Sequence, residues 1–350
     1  MDLKEHLKQL LSAPGPSGYE FQAHEVIAGA WEPFVDEIKV TNLGSLTGIK
    51  RGEGPEPRPK VLIAAHMDAI GLMVSSINQG FLHITQLGGV DPRILPGQLV
   101  TVHGRKELPG MVVMPPAFLL PEAARTGPIG LPYLLVDTGL RPEEVNKLVR
   151  VGDVITFAQP PIELSGDTMA GHTLDNRVSV AALTVCLEIL SKRKFDWDVI
   201  ADATAQEEVG GFGAQTDAVA YRPDLAIVID VTFASGPGGS GFRDFKLGKG
   251  ITITWGSCDH PALTEVMFKL AEDLDIPFQK DLAPRGSGTD AYVIQVAESG
   301  VPVVELGIPL RYMHTPVEMV SLKDIRRAGR LMAEFVAQLT PETLKSVEWK

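Results

Sequence analysis

The chain has 350 residues, 44% of them hydrophobic and 22% charged, the proportions of an ordinary soluble globular protein large enough for one big domain or two of common size. A formal charge of −12 argues against nucleic acid or an anionic membrane surface as the main partner. The two cysteines, Cys186 and Cys258, cannot build a disulfide framework, and their apolar surroundings point to buried thiols in a reducing cytoplasm.

Taken in chain order, the N-terminal MDLKEHLKQLLSAPGPSGYE reads as a short, charged amphipathic helix ending in a Pro/Gly turn. It lacks the apolar core of a signal peptide, and no segment has the roughly 18 consecutive apolar residues of a membrane span. KVLIAAH (60–66) reads as a buried strand. From about 70 to 164 the texture changes. FLHITQLGG, GQLVTVHG, LPGMVVM, YLLVDTG and GDVITFAQ are short strand candidates broken by Gly and Pro, with RPEEVNKLV as the only helical pattern, which suits a small β-barrel or sandwich. The same stretch carries the apolar run MPPAFLLP (114–121), a candidate contact between subunits.

Helical periodicity returns with DNRVSVAALTVCLEILSKRK (175–194), followed by strand candidates DVIADATA (198–205) and LAIVIDV (225–231) and a flexible loop, SGPGGSG (235–241). GITITW (250–255) and VPVVELG (301–307) read as strands, PALTEVMFKLAEDL (261–274) and SLKDIRRAGRLMAEFVAQL (321–339) as helices. In the last helix Ser321 stands as N-cap with Asp324 three residues on, ahead of an apolar face of Ile325, Ala328, Met332, Phe335, Val336 and Leu339. Strands alternating with helices of this length predict an α/β fold with a mixed, mostly parallel sheet flanked by helices. The expected organisation is an α/β domain of residues 1–69 and 165–350, interrupted by a β-rich insertion of residues 70–164.

Acids and histidines recur where apolar runs end. His66 and Asp68 project to the same side of an extended segment. Asp175 and Asn176 open a helix, Glu207 and Glu208 stand side by side where a strand meets glycines, Asp230 ends a fully apolar run, and His314 sits in a loop after another. Each has a plain reading: a surface pair, an N-cap, a hydrogen-bonded loop histidine. Asp230 is the exception, because an acid ending such a run needs a partner or a ligand. Ligands of α/β sheets bind beyond the carboxyl ends of the strands. Two histidines with three carboxylates are the N/O donor set of zinc, cobalt or manganese. Three carboxylates offset most of the charge of two divalent cations, which favours two ions over one.

The ordered motifs HMDAIG, LDNR, QEEVGGFGA, IVIDV, GSGTDA and RYMHTPVEM resemble the M42 family of metallo-aminopeptidases, which includes tetrahedral TET peptidases and glutamyl aminopeptidases. The likeness runs through most of the chain. It implies two metal ions per subunit, zinc or cobalt, held by His66, Asp175, Glu208, Asp230 and His314. Asp175 would bridge, with Glu208 and His314 completing one shell and His66 and Asp230 the other. Glu207 matches the general base, and Asp68 the carboxylate that steadies a metal-binding histidine. The implied reaction removes N-terminal residues from short peptides with metal-activated water. The implied assembly joins dimers through the insertion, six dimers forming a hollow dodecamer.

The chain departs from the family at Ala69, where Glu is common, and His172 is read as a neighbour of the site rather than a ligand. A cis peptide between Asp175 and Asn176 is expected by likeness to related dimetal peptidases. Competing readings are a deacylase on the same scaffold, a glucanase, and a non-catalytic scaffold protein. For side-chain selection two options stand: Arg243, Lys246 and Arg311 as a basic pocket, unless they are ordinary surface charges, or Phe233, Phe242 and Tyr312 as an apolar one.

Overall fold

The computed structural model describes residues 1–236 and 244–348. Phe242, Arg243 and most of the loop expected at 235–241 lie outside the described residues. Two sheets organise the chain. The larger has eleven strands. At its centre Asp198–Thr204, Lys60–His66, Leu225–Phe233 and Val303–Arg311 lie side by side and run parallel. Antiparallel strands extend both flanks: Leu46–Lys50 and Glu37–Val40 on one side, Glu318–Ser321, Thr168–Gly171 and Ile162–Leu164 on the other. Ile251–Gly256 branches from Val303–Arg311 and pairs with Phe278–Ala283.

The central strands are apolar without alternation because both faces are covered. In Lys60–His66, Val61, Ile63 and Ala65 join the core beneath the helices Leu3–Ser12, Phe21–Trp31, Leu174–Leu190 and Leu322–Ala337. Leu62 and Ala64 face the opposite cluster, formed with Ala214 and Ala218 of Phe212–Tyr221 and with Ala291 and Ile294. Cys186 and Cys258 are buried free thiols, as expected. No helix among the described residues is long and apolar enough to cross a membrane.

The helix Leu322–Ala337 departs in one detail from its reading. Ser321 occupies the N-cap position but its side chain caps nothing. Asp324 instead accepts the amides of Gly248 (2.6 Å) and Gly250 (3.1 Å) and pairs with Arg327 at 2.8 Å. Two turn amides and a guanidinium satisfy this wholly buried carboxylate more fully than one helix-start amide would.

The second sheet is a closed six-stranded antiparallel barrel. Its strands follow the order Gly71–Asn78, Phe81–Leu87, Leu135–Asp137, Glu107–Val113, Leu99–His103 and Val154–Phe157. Alternate residues, among them Leu72, Val74, Leu82, Ile84, Val100, Val102 and Val136, fill its interior, and closure leaves no free edge. The chain enters the barrel five residues after His66. It returns through the hairpin of Ile162–Leu164 and Thr168–Gly171, which already belongs to the larger sheet.

Candidate metal centre

The central parallel strands deliver their carboxyl ends to one place. His66 ends its own strand, Glu207 and Glu208 follow Asp198–Thr204, Asp230 stands in register with Gly307, and His314 follows Val303–Arg311. Asp175 reaches the same place from the start of the long helix Leu174–Leu190. The donor atoms fall into two groups, His66 with Asp175 and Asp230, and Asp175 with Glu208 and His314. Within each group they lie within 4.8 Å of one another, and Asp175 belongs to both. His66 Nε2 is 3.2 Å from Asp175 Oδ1 and 3.6 Å from Asp230 Oδ1. His314 Nε2 is 3.4 Å from both Asp175 Oδ2 and Glu208 Oε2. Glu207 Oε2 stands at the rim, 3.8 Å from His66 Nε2.

Local backbone conformation explains how neighbouring residues serve different atoms. Gln206 is left-handed (φ 62°), a single 3-10 turn covers Glu207–Val209, and Gly210 (φ 145°) and Gly211 (φ 69°) carry the chain out of it. A side chain at either glycine would be strained, so the EEVGG pattern is what this turn demands. The turn sends Glu207 toward His66 and Glu208 toward His314. The Asp175–Asn176 peptide is cis, and Asn176 Nδ2 donates to Ile229 O at 3.0 Å, beside Asp230.

Both histidines present Nε2 to the cluster because Nδ1 is engaged elsewhere. His314 Nδ1 lies 3.0 Å from Gly89 O, in the loop after the barrel strand Phe81–Leu87. A methyl group on Gly89 would meet that ring nitrogen at 2.8 Å, so only glycine lets the barrel approach this closely. His66 Nδ1 lies 3.1 Å from the main-chain oxygen of Asp68 and 3.5 Å from its carboxylate. The expected carboxylate–histidine pairing is thus secondary to a carbonyl contact. The Asp68 carboxylate, fully buried, accepts Ser17 Oγ (2.6 Å) and the amides of Glu207 (3.0 Å) and Glu208 (3.2 Å). A carboxylate holding two amides outcompetes a longer contact to the imidazole, and it pins the turn that carries the paired glutamates.

Glu318, which the sequence reading passed over, holds two of the cluster residues at once. Its Oε2 accepts the Asp175 amide (3.0 Å) and its Oε1 the His314 amide (2.9 Å). Burial pushes Glu318 well above the ordinary carboxylate range, and the two amides pull against it. Asp290 was also passed over although its motif was noted. Buried beneath the site, it accepts Thr204 Oγ1 at 2.5 Å, and burial pushes its carboxyl up to about 7. The available signal in both cases was an acid inside a quoted motif with no role assigned.

Burial dominates the electrostatics. It pushes Glu207 up to about 10 and also raises Glu208 and Asp230. Burial works the same way on Asp175, but contacts with His314 and His66 hold that carboxyl at about 2. Asp175 and Glu208 raise His314 to about 11. The carboxylates outnumber the imidazoles, and among the described residues no Lys or Arg forms an ion pair with Asp175, Glu207, Glu208 or Asp230.

The remaining expectations separate. His172 stays outside the cluster, edge-on to Phe157 at 5.0 Å between ring centres, and burial drives its pKa down to about 3. Ala69 is buried, its amide donating to Gly15 O at 3.1 Å. A cavity of about 470 Å³ opens on the cluster. Phe233 lines it, whereas Lys246, Arg311 and Tyr312 are not among its lining residues. The Arg311 side chain donates to Ser235 O.

Comparison with known proteins places the chain in a family. The lysyl aminopeptidase of Pyrococcus furiosus is 33% identical over 343 residues, spanning 96% of this chain and 97% of its own length. Among solved structures, an aminopeptidase from the archaeon Desulfurococcus kamchatkensis matches with a TM-score of 0.91 and 35% identity, over 99% of this chain and 98% of that one. The TET1 peptidase of Pyrococcus horikoshii, which can assemble into a tetrahedron or a large octahedral shell, matches with a TM-score of 0.83 and 30% identity over 97% of this chain and 100% of that one. The family model of the M42 glutamyl aminopeptidases matches residues 44–331. The chain therefore belongs to the M42 glutamyl aminopeptidase family and is a peptidase of the aminopeptidase kind.

Proposed function

We propose that the protein removes N-terminal residues from short peptides by hydrolysis at a two-metal centre. His66, Asp175 and Asp230 would hold one divalent cation and Asp175, Glu208 and His314 the other, zinc or cobalt in each place. The observation that carries this reading is the pair of donor groups sharing Asp175, with a further carboxylate at the rim. The donors fit such ions. They are nitrogen and oxygen, His66, Asp175 and Asp230 are buried while Glu208 and His314 are half-buried, and their negative surplus has no cationic side chain paired with it among the described residues.

Two bound cations would supply Lewis acidity to the scissile carbonyl and to the attacking water. Glu207 takes the proton from that water. The Asp68 carboxylate accepts the Glu207 main-chain amide and so fixes the turn that carries it. Glu207 then returns the proton to the departing amine. The remaining carboxylates attract the free α-ammonium of the peptide, which makes the enzyme exo-acting. Asp68 and Glu318 are positioning residues.

The test is hydrolysis of aminoacyl-p-nitroanilides against N-acylated analogues by the metal-reconstituted protein. Aminoacyl substrates should be cleaved and a chelator should abolish the rate. Glu207→Gln should bind metal normally and lose nearly all turnover, so retained turnover would remove Glu207 from the mechanism. Preference for N-acylated substrates would favour the deacylase reading instead.

We further propose self-assembly through the barrel, with dimers building a dodecamer. Met114, Phe118 and Leu119 are 54%, 74% and 65% exposed in the run anticipated as a contact, an apolar group that a second subunit would cover. Light scattering of the intact protein should give twelve subunits, and Phe118→Asp should reduce the mass; a fully active dimer would refute the dodecamer. The buried free thiols suit a cytoplasmic setting.

A further inference from the structure

The turn that carries the paired glutamates is held from outside. Four successive amides each donate to a side chain from another part of the chain: Ala205 to Ser45 Oγ (3.1 Å), Gln206 to Glu20 Oε1 (3.2 Å), Glu207 to Asp68 Oδ1 and Glu208 to Asp68 Oδ2. Glu20 ends the N-terminal stretch SGYE and is 4% exposed. Its Oε1 also accepts the Gly18 amide at 2.7 Å, which folds its own loop back onto the carboxylate. That loop is fastened next to Asp68, since Ser17 N donates to Ala69 O (3.3 Å) and Ala69 N to Gly15 O (3.1 Å). Glu20 therefore reaches Gln206 from a fixed base.

Gln206 is where the turn asks most of its backbone. Its left-handed conformation (φ 62°) is one that residues with side chains seldom adopt, and it persists only where the surroundings enforce it. The next residue is Glu207. Its carboxylate stands 3.8 Å from His66 Nε2, beyond hydrogen-bonding reach, so the course of the backbone sets its place. Glu208 differs, because it shares a donor group with Asp175 and His314, and a bound cation would hold it there.

We propose that Glu20 is a positioning residue for Glu207: by accepting the Gln206 amide it holds the left-handed residue from which the turn starts, and so fixes the carboxylate that takes the proton from water. This rests on the aminopeptidase reading of the site and on the role given there to Glu207. Glu20 belongs to neither donor group and does not line the cavity, so it takes no part in bond cleavage. What the turn needs from it is an acceptor oxygen in the Oε1 position, not a negative charge. Burial pushes its carboxyl up to about 7, so a neutral amide side chain is a close match for it. Without the acceptor, the Gln206 N–H loses its partner and the turn relaxes out of its left-handed start. A shift of about 1 Å in Glu207 then costs on the order of a hundredfold in rate.

The experiment measures kcat and KM on aminoacyl-p-nitroanilides, and metal affinity by chelator competition, for the metal-loaded wild type, Glu20→Gln, Glu20→Met and Glu20→Asp. Folding of each is checked by thermal denaturation. Glu20→Gln keeps the acceptor and drops the charge, Glu20→Met drops both, and Glu20→Asp keeps the charge but draws the acceptor back by one methylene. Glu20→Met and Glu20→Asp should lose about 10–100-fold in kcat, with KM within about threefold of the wild type and metal affinity unchanged. Glu20→Gln should keep kcat within about threefold. Should Glu20→Met fail to fold, the contrast between Glu20→Asp and Glu20→Gln decides. The proposal is overturned if folded Glu20→Met or Glu20→Asp turns over like the wild type, if Glu20→Gln is as slow as they are, or if kcat falls only in step with metal affinity. Each of these results leaves the aminopeptidase reading intact, whereas a wild type that cleaves no aminoacyl anilide removes that reading and the proposal together.

Discussion

Replacing Glu318 by glutamine tests whether the main-chain clamp on Asp175 and His314 shapes the centre. The carboxylate offers one oxygen to each of two amides, at 3.0 and 2.9 Å, from a position that is almost wholly buried. A glutamine keeps one acceptor and turns an NH2 group toward the other backbone N–H. One buried donor then loses its partner, at a cost of about 1–3 kcal/mol. The strain falls on Asp175 or His314, so divalent-metal affinity should weaken by about 10–100-fold, which corresponds to about 1.4–2.8 kcal/mol. Competition with a fluorescent chelator reads the affinity, and kcat/KM at subsaturating and saturating metal separates weaker loading from a misplaced site. If Glu318→Gln binds zinc or cobalt as the wild type does and turns over at the same rate, the clamp has no part in the centre.

Two further outcomes follow from contacts elsewhere. Gly89→Ala places a methyl group 2.8 Å from His314 Nδ1 and pushes on that ring, so metal affinity should fall by about tenfold with the barrel still folded; chelator competition showing no change would refute the coupling. The second concerns pH. Burial lowers His6 from 6.5 to about 4. Between those values the unfolded chain binds the proton and the folded chain does not, so stability is fully present above about 6.5 and declines as pH falls toward 4. From pH 7 to pH 5 the wild type should lose about 2 kcal/mol more than His6→Gln in urea unfolding, and equal losses would refute it.

Much of this architecture was legible because burial on both faces writes continuous apolar runs. KVLIAAH, LAIVIDV and VPVVELG all became central parallel strands. The Gly- and Pro-broken texture after residue 70 became a closed barrel, since short alternating strands can bury only one face each. The antiparallel flanks were less visible: Ile162–Leu164 and Glu37–Val40 are short and largely exposed, and they carry no apolar signature. At the candidate site, the acids and histidines that come together stood out because such a residue at the end of an apolar strand is anomalous. Residues that position them did not. Glu318 and Asp68 act on main-chain amides distant in sequence, and such partners depend on which loops meet. The local S-x-x-D pattern at Ser321 misled for the same reason, because Asp324 found better donors in a turn some seventy positions away.

Arg177 gives the N-terminal segment a role that its own residues do not advertise. Its guanidinium is sealed from solvent and donates through Nη1 to the carbonyls of Leu10 and Ala13, where the first helix ends, and through Nε to the carbonyl of Met67 at 3.1 Å. Met67 lies between His66 and Asp68, so one side chain ties the opening helix to the peptide that carries a histidine of the candidate centre. Trimming the first dozen residues would take away the Leu10 carbonyl and the helix that covers this guanidinium, and should loosen the peptide beside His66, although no trimmed residue belongs to the candidate centre. Shortening the chain at this end is therefore a change to the candidate centre itself.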